Sequence, residues 1–217
     1  MIKRPLLVRA SSQGGQPGVH LNLIMVSSAL SGEGKSFTTL NLAISIAMEM
    51  DRTILLVDAD LAKPGISRML GIDDRSGFTE CLKEESLDLG DFLINTDIPK
   101  LKVLPAGEPH SRATELLSSN AMRSRLNELA TRYSDRIILF DSPPLLATSE
   151  ASVLASYMGQ VALVVAYGET PQYLVKEALS LFQSLESVSI ILNKARDELF
   201  SGRSGEYSYG YGSYGDQ

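Results

Sequence analysis

Residues 29–36 read Ala29-Leu30-Ser31-Gly32-Glu33-Gly34-Lys35-Ser36. The run before them, Leu21 to Val26, is rich in apolar residues and predicts a buried strand, while Lys35 to Met50 have helical spacing. A glycine-rich turn between a strand and a helix suits phosphate groups, because backbone N–H groups and the positive helix N-terminus face the anion. The octapeptide therefore predicts a phosphate-binding loop at the start of a helix.

The residue types in the octapeptide fit this chemistry. Gly32 and Gly34 let the backbone curl around phosphates, Lys35 would reach the β- and γ-phosphates, and Ser36 would ligate Mg²⁺. The pattern is a Walker A motif with alanine in first position, and we expect ATP with Mg²⁺ as its ligand. The expected nucleotide-contacting residues are Ser31, Gly32, Glu33, Gly34, Lys35, Ser36 and Phe37. The alternative is a glycine-rich turn with an incidental Lys-Ser pair.

Apolar runs recur along the chain and are separated mostly by segments with helical spacing. The runs are continuous rather than alternating, which is typical of strands buried on both faces. Strands are predicted at Leu21–Val26, Thr53–Val57, Leu101–Leu104, Arg136–Phe140, Gln160–Val165 and Val188–Leu192, and helices at Lys35–Met50, Ala121–Tyr133, Ser149–Met158 and Gln172–Leu185. The alternation predicts an α/β fold, a mainly parallel β-sheet with helices on both faces. Short helices and loops are expected over Ala62–Lys100.

The two ends of the chain differ from this body. Residues 1–20 are expected to form an N-terminal arm and linker, and residues 21–200 a single α/β domain. Residues 201–217 are mostly Gly, Ser and Tyr, a composition that cannot form a core, and they predict a flexible tail. That tail holds four of the chain's tyrosines, Tyr207, Tyr209, Tyr211 and Tyr214.

Composition limits the classes of protein to which the chain can belong. With 217 residues, 44% of them hydrophobic and 21% charged, it can bury a core as one domain. No apolar run approaches the roughly 20 residues of a membrane-spanning helix. The chain has a single cysteine, Cys81, which excludes an internal disulfide and indicates a cytoplasmic setting. We expect Cys81 to be a packing residue on a helix. The net charge of −6 argues against nucleic acid as a partner.

Two predicted strands end in carboxylates. Ile54 to Val57 lead into Asp58-Ala59-Asp60, and Ile137 to Phe140 lead into Asp141. The carboxyl ends of parallel strands meet at one crevice, so these aspartates are expected to converge on the phosphates as catalytic and metal-binding groups, although each alone could be an ordinary strand end. Asp141 is predicted to hold the water shell of Mg²⁺. Asp58 and Asp60 are expected to share the roles of metal contact and general base, and the sequence does not indicate which residue has which role.

With these motifs placed, the chain resembles the bacterial tyrosine kinases, a branch of the MinD/ParA group of P-loop ATPases. The matching pieces are the Walker A loop, the segment Leu55 to Leu61, the strand ending Asp141-Ser142-Pro143-Pro144, and the tyrosine-rich tail. The resemblance implies a protein tyrosine kinase that phosphorylates its own tail tyrosines. It also implies a catalytic set formed by Lys35, Asp58, Asp60 and Asp141, and an adenine contact at Asn193, for which an ordinary turn is the alternative.

The chain is especially similar to autokinases encoded with exopolysaccharide-export systems. That similarity implies a membrane-embedded chain-length regulator as partner or activator, and a place at the inner face of the membrane through that partner. It also implies a homo-oligomer, possible as a ring, in which one subunit phosphorylates the tail of another. Relatives often carry a Glu/Arg-patterned helix before the first strand, and here only Lys3, Arg4 and Arg9 remain. Relatives also tend to read Asp-Leu-Arg-Lys-Pro where this chain has Ala62 followed by Lys63.

Two rival functions share the same loop. The first is a MinD/ParA-type ATPase switch, which uses ATP to dimerise and position a partner, DNA or membrane. Membrane-binding relatives usually end in a basic amphipathic helix, and this tail has no apolar helical face. The second rival is a nucleotide-sensing scaffold in a polysaccharide-export complex. A Gly/Tyr tail could also be a low-complexity segment without phosphate chemistry.

Overall fold

The computed structural model describes residues 2–12, 20–110, 112–132, 136–182, 184 and 187–195, and these form a seven-stranded sheet covered by helices. The strands are β1 Leu23–Ser28, β2 Thr53–Asp58, β3 Ile94–Asn95, β4 Leu101–Leu104, β5 Arg136–Asp141, β6 Gln160–Ala166 and β7 Val188–Asn193. The helices are α1 Lys3–Ala10, α2 Lys35–Ala47, α3 Gly65–Leu70, α4 Phe78–Lys83, α5 Ala113–Leu117, α6 Asn120–Arg132, α7 Ser149–Ala155 and α8 Gln172–Ser180, with a short 3-10 helix at Leu89–Phe92.

The strand order is β3-β4-β2-β5-β1-β6-β7. Every pairing is parallel except that of β3 with β4. The predicted mainly parallel α/β fold is therefore confirmed. The register places Val26 of β1 beside Asp141 of β5, and Asp58 of β2 beside the same Asp141. The carboxyl ends of three central strands thus meet at one edge of the sheet.

All six predicted strands are present, and none of their ends differs from the prediction by more than two residues, because each is a buried apolar run. The unpredicted strand, β3, has only two residues and lies at the sheet edge. Such a strand is too short for a hydrophobic period, and its pairing with β4 is a tertiary event. The expected short helices and loops between residues 62 and 100 are α3, α4 and the 3-10 helix.

The core lies on both faces of the sheet, because successive side chains of a buried strand point to opposite faces. In β1, Leu23 and Met25 pack into one apolar cluster, and Ile24 and Val26 into the other. All four side chains are fully buried. Cys81 of α4 is a buried free thiol in the first cluster, as predicted for a helix packing residue.

The N-terminal segment differs from the expected arm, because residues 3–10 form helix α1. Leu6 is buried against the second cluster, and its carbonyl accepts a hydrogen bond from Gln160 Nε2 at 3.1 Å. Lys3 Nζ donates to the Ser45 carbonyl at 2.7 Å and pairs with Glu49. One fully buried apolar residue in eight is a weak periodic signal, so only docking on the sheet reveals this helix. Within the part of the chain that the structure describes, no helix has the length and apolar character needed to cross a membrane.

Arg125 is a charged residue buried inside the fold. From α6 its guanidinium donates to the Cys81 carbonyl at 3.2 Å and the Leu87 carbonyl at 2.7 Å, and it pairs with Glu128 at 2.9 Å. It also donates to the carbonyls of Glu84 and Glu85. The planar guanidinium therefore binds backbone carbonyls at the end of α4 and in the turn after it, and a shorter or apolar side chain would not supply these donors.

Replacing Arg125 with methionine is expected to lower the free energy of unfolding by about 3 kcal/mol, because the carbonyls of buried Cys81 and half-buried Leu87 lose their donor and Glu128 loses an ion pair. Urea denaturation followed by circular dichroism measures the change. Arg123→Met is the matched control on the same helix, since Arg123 is exposed and its guanidinium stacks over the Tyr157 ring and donates a long hydrogen bond to the Tyr157 hydroxyl. It should change stability by less than about 1 kcal/mol. Equal losses in the two variants would contradict the assigned role of Arg125.

Candidate functional site

The octapeptide forms the turn between β1 and α2. Gly32 and Gly34 adopt φ angles of 86° and 90°, a left-handed conformation that residues with a Cβ rarely adopt. Helix α2 begins at Lys35, and the Gly34 carbonyl accepts the hydrogen bond of Thr38 N–H at 2.9 Å. The strand, loop and helix therefore follow one another as the motif requires. Ser31, Gly32 and Phe37 are exposed at the loop.

Lys35 lies between the ends of β2 and β5. Its Nζ is 3.1 Å from Asp60 Oδ2, 3.8 Å from Asp141 Oδ2 and 3.4 Å from Ser36 Oγ. The two strand ends are held together by the hydrogen bond from Ala59 N–H to the Asp141 carbonyl, at 2.8 Å. The predicted convergence of the loop and the carboxylates is thus present in the structure. The ammonium group of Lys35 lies between the carboxylates of Asp60 and Asp141.

Asp141 is fully buried, and its two oxygens have different environments. Oδ1 accepts a hydrogen bond from Thr39 Oγ1 at 3.1 Å, whereas Oδ2 has no hydrogen-bond partner among the described residues. Burial raises the pKa of this carboxyl group, and the positive charge of Lys35 opposes that rise. A buried carboxylate oxygen that lies beside the Ser36 hydroxyl and near the Lys35 ammonium, at the edge where the loop meets the strand ends, suits a hard cation or one of its waters.

Asp58 is held by the first turn of α3. Its Oδ2 accepts hydrogen bonds from the N–H and the hydroxyl of Ser67, both at 2.8 Å. Its Oδ1 is buried and lacks a hydrogen-bond partner within the described ranges. Burial raises the pKa of Asp58 to about 7, and the negative charge of Asp141 adds to that effect. With this pKa, the Asp58 carboxyl group changes protonation near neutral pH.

Asp60 differs because both of its oxygens have partners. Oδ2 pairs with Lys35, and Oδ1 accepts a hydrogen bond from the Lys63 backbone N–H at 3.0 Å. The Lys63 side chain is exposed. It makes its contact to Asp60 through the backbone, and the arginine that relatives tend to carry aligns with the preceding residue, Ala62.

The described residues contain no group of three or more His, Cys, Asp or Glu arranged to hold a metal ion by themselves. Magnesium in phosphate-transfer sites is commonly held by one or two carboxylates together with the phosphates of the substrate. Asp141 and Ser36 provide that kind of position, and Asp58 and Asp60 lie at the same edge. The assignment of Ser36, Asp58, Asp60 and Asp141 as the metal set stays a prediction.

Sequence reasoning did not identify three residues that shape this site. Thr39 lies one helical turn after Lys35 and contacts Asp141, which helical spacing from the motif could have indicated. Ser67 contacts Asp58 across nine positions of irregular sequence, with no local signal. A side chain at Gly65 would collide with Ser36 Oγ and press on Asp141 Oδ2, so α3 can approach the loop only with glycine there.

Glu33 and Asn193 meet behind the loop. The Glu33 carboxylate is buried and accepts hydrogen bonds from Leu30 N–H at 2.6 Å and from the Thr170 hydroxyl. Asn193 ends β7, and its Nδ2 donates to the Glu33 carbonyl at 2.8 Å. Asn193 also lines a cavity of about 310 Å³ with Phe37. An adenine contact at Asn193 stays a prediction. The four tail tyrosines, Tyr207, Tyr209, Tyr211 and Tyr214, lie outside the described residues.

Comparison with known families and proteins agrees with this geometry. The ParA family model, described as NUBPL iron-transfer P-loop NTPase, matches residues 20–191. Tyrosine-protein kinase CpsD of Streptococcus agalactiae is 32% identical over 202 residues, which cover 91% of this chain and 83% of that protein. The succinoglycan biosynthesis transport protein ExoP of Rhizobium meliloti (strain 1021) is 34% identical over 208 residues, which cover 91% of this chain and 26% of ExoP.

Solved structures give the same picture. The kinase domain of VpsO superposes with a TM-score of 0.71 at 36% identity, covering 80% of this chain and 84% of that domain. The chain spans most of the length of CpsD but only about a quarter of ExoP, and 22% of tyrosine-protein kinase ptk of Acinetobacter johnsonii.

These matches confirm the predicted family, fold class and enzyme class, and the family implies nucleotide binding with a divalent metal. The sequence similarity to CpsD extends through the loop and both strand-end acidic segments. The chain therefore belongs to the bacterial tyrosine-protein kinases, within the ParA-type P-loop NTPases.

Proposed function

We propose that this chain transfers the γ-phosphoryl group of Mg-ATP to the tyrosines of its own C-terminal segment, Tyr207, Tyr209, Tyr211 and Tyr214. The observation that carries the proposal is the position of Lys35, 3.1 Å from Asp60 and 3.8 Å from Asp141 at the start of α2. Phosphoryl transfer needs little covalent chemistry from the protein, but it needs positioned charges around the phosphates and a positioned acceptor.

The loop would bind the phosphates of ATP. Its N–H groups and the N-terminus of α2 face the anion, and Lys35 would exchange its contact with Asp60 for the β- and γ-phosphates. Ser36 and Asp141 would hold Mg²⁺, which when bound neutralises charge on the phosphates. Asp141 Oδ2, without a hydrogen bond inside the described structure, supports that assignment.

Asp58 is the residue we assign as the base. In the transfer, the tyrosine oxygen forms a bond to the γ-phosphorus as the bond to the β–γ bridging oxygen breaks, and ADP leaves. The phenolic proton passes to a carboxylate. Asp58 keeps a buried Oδ1 without a hydrogen bond among the described residues. Its pKa of about 7 suits a group that accepts a proton at neutral pH.

The acceptor tyrosines can reach a second copy of the chain. About 12 residues separate Ala195, where the described part ends, from Tyr207, which is roughly 40 Å of extended backbone. Transfer between subunits of a homo-oligomer is therefore within reach. In α1, Lys3 and Arg9 are engaged inside the chain with Glu49 and Ser189, whereas Arg4 is exposed. Of these three cations, Arg4 is the one whose side chain is exposed for contact between subunits.

The name of ExoP, succinoglycan biosynthesis transport protein, supports a role in exopolysaccharide synthesis or export. We place the chain on the cytoplasmic side of the membrane, bound to a membrane-embedded regulator of polysaccharide chain length that activates it. Nucleic acid has no part in the proposed function.

Incubation of the purified chain with Mg-ATP is expected to place phosphate on Tyr207, Tyr209, Tyr211 and Tyr214, as mapped by mass spectrometry. Lys35→Met should reduce this labelling by about 100-fold or more, because the charge that stabilises the transferred group is lost. Lys176→Met, on the exposed side of α8, is the matched control and should label normally.

The same experiment separates the proposal from its rivals. Free phosphate without phosphotyrosine would indicate a MinD/ParA-type ATPase switch, and neither product, with the activating partner present, would indicate a scaffold. A variant with all four tail tyrosines changed to phenylalanine should bind ATP normally and yet accept no phosphate in the tail.

Asp58→Asn is expected to reduce tail phosphorylation by about 10²- to 10⁴-fold, the usual contribution of a general base, while nucleotide still binds.

The same variant should be more stable than the parent at pH 8. The folded pKa of Asp58, about 7, lies above its ordinary value of 3.8, so the folded chain binds this proton more tightly than the unfolded chain. Parent stability contributed by this group therefore falls as pH rises from about 4 to about 7.

Asparagine does not ionise and can still accept both hydrogen bonds from Ser67. With metal chelated and no nucleotide, the stability advantage of Asp58→Asn over the parent should grow by roughly 2 to 3 kcal/mol from pH 5 to pH 8, because the parent loses stability until the pH passes the folded pKa of about 7. Urea titrations at both pH values measure this difference, and exposed Asp73→Asn is the control. Loss of stability at pH 8 would show that the Asp58 carboxylate is not held in an unfavourable environment.

A further inference from the structure

Glu33 sits in the middle of the phosphate-binding loop with a side chain unlike those beside it. The residue is 3% exposed, whereas its neighbours Ser31 and Gly32 are exposed. Buried carboxylates are rare unless their oxygens are hydrogen-bonded. The Walker A pattern accepts any residue at this position, so the motif does not explain a buried glutamate.

Each oxygen of the Glu33 carboxylate joins a different part of the chain. Oε2 accepts the Leu30 N–H at 2.6 Å, which ties the loop to its own beginning. Oε1 accepts the Ala166 N–H at 3.3 Å and the hydroxyl of Thr170. Ala166 ends β6 and Thr170 lies just before α8, so one carboxylate joins the loop to the connection that follows β6.

A second tie reaches the same residue from β7. The Asn193 amide donates to the Glu33 carbonyl at 2.8 Å, and the Asn193 carbonyl accepts the Tyr167 N–H at 2.8 Å. Lys194 is also paired with Glu169 at 2.7 Å. The ends of β6 and β7 thus form one bonded unit, and that unit holds both the side chain and the backbone of Glu33.

Phosphate binding requires the loop N–H groups to point inward before the ligand arrives, because ordering them afterwards would reduce the affinity. We propose that Glu33 is a positioning residue, which holds the loop in its phosphate-binding shape by connecting it to Thr170 after β6 and to Asn193 at the end of β7. The inference rests on the proposed function, since it assumes that the loop binds ATP. Nucleotide affinity then depends on Thr170 and Asn193, which lie outside the Walker A motif.

The chemistry of the contacts explains why glutamate suits this position. All three groups that contact the carboxylate donate hydrogen bonds, and a carboxylate only accepts. Glutamine has one acceptor oxygen and an NH₂ group, so it would set a donor against either Leu30 N–H or the Ala166 and Thr170 donors. Glu33→Gln therefore keeps the volume of the side chain and breaks one end of the connection.

The test measures equilibrium binding of a fluorescent ATP analogue with Mg²⁺ to the full-length chain. Glu33→Gln and Thr170→Val are each expected to raise the dissociation constant about tenfold or more, because each loses a hydrogen bond to a charged group. Thr170→Ser keeps the hydroxyl and should bind within about threefold of the parent. Glu177→Gln, exposed on α8, is the matched control and should bind as the parent does.

Two further measurements distinguish a positioning role of Glu33 from a general contribution to stability. Tail phosphorylation at saturating ATP should fall less than affinity does, since the connection acts on the loop and not on the acceptor. The double variant Glu33→Gln with Thr170→Val should bind little worse than Glu33→Gln alone, because both changes break the same connection.

Dissociation constants within twofold of the parent in both single variants would overturn the inference. Equal losses in Thr170→Ser and Thr170→Val would also overturn it, because the hydroxyl would then not be the determinant. Should Glu33→Gln fail to fold, the pair of Thr170 variants still decides. A parent chain that bound no ATP analogue would instead overturn the proposed function, and this inference with it.

Discussion

The ammonium group of Lys35, held between Asp60 and Asp141, is the interaction on which the rest of this site depends. It exists because β2 and β5 run parallel and in a register that places Asp58 beside Asp141. The loop after β1 brings the lysine to the same edge. A shift of either strand by one residue would turn its terminal carboxylate toward the opposite face of the sheet, so the buried register of the core also sets the distances of the site.

Three carboxyl groups and one ammonium leave this edge of the sheet with unbalanced negative charge. Burial raises the pKa values of Asp58 and Asp141, which means that the folded chain keeps these carboxylates under unfavourable conditions. A bound cation would relieve that repulsion, and so would protonation. The buried carboxylates at this edge therefore lower the stability of the folded chain, and a neutral residue in place of Asp58 would raise it.

The phosphate-binding loop is also held from outside its own motif. Glu33 and Asn193 tie it to the ends of β6 and β7, and Gly65 lets α3 approach Ser36 and Asp141 closely. The position of the loop is therefore coupled to the ends of β6 and β7 and to the packing of α3.

The sequence by itself determined the six main strands, the parallel α/β fold, the loop at residues 29–36 and the strand-end aspartates. Each of these features follows from a local run of apolar residues or from the fixed spacing of a motif. Tertiary structure alone decided the two-residue strand β3, the docking of α1 through Leu6, and the contact of Ser67 with Asp58. It also decided the partners of Glu33, which is joined to Thr170 across 137 positions. Such contacts join segments with no periodic relation, so they exist only once the sheet has assembled and brought the ends of its strands together.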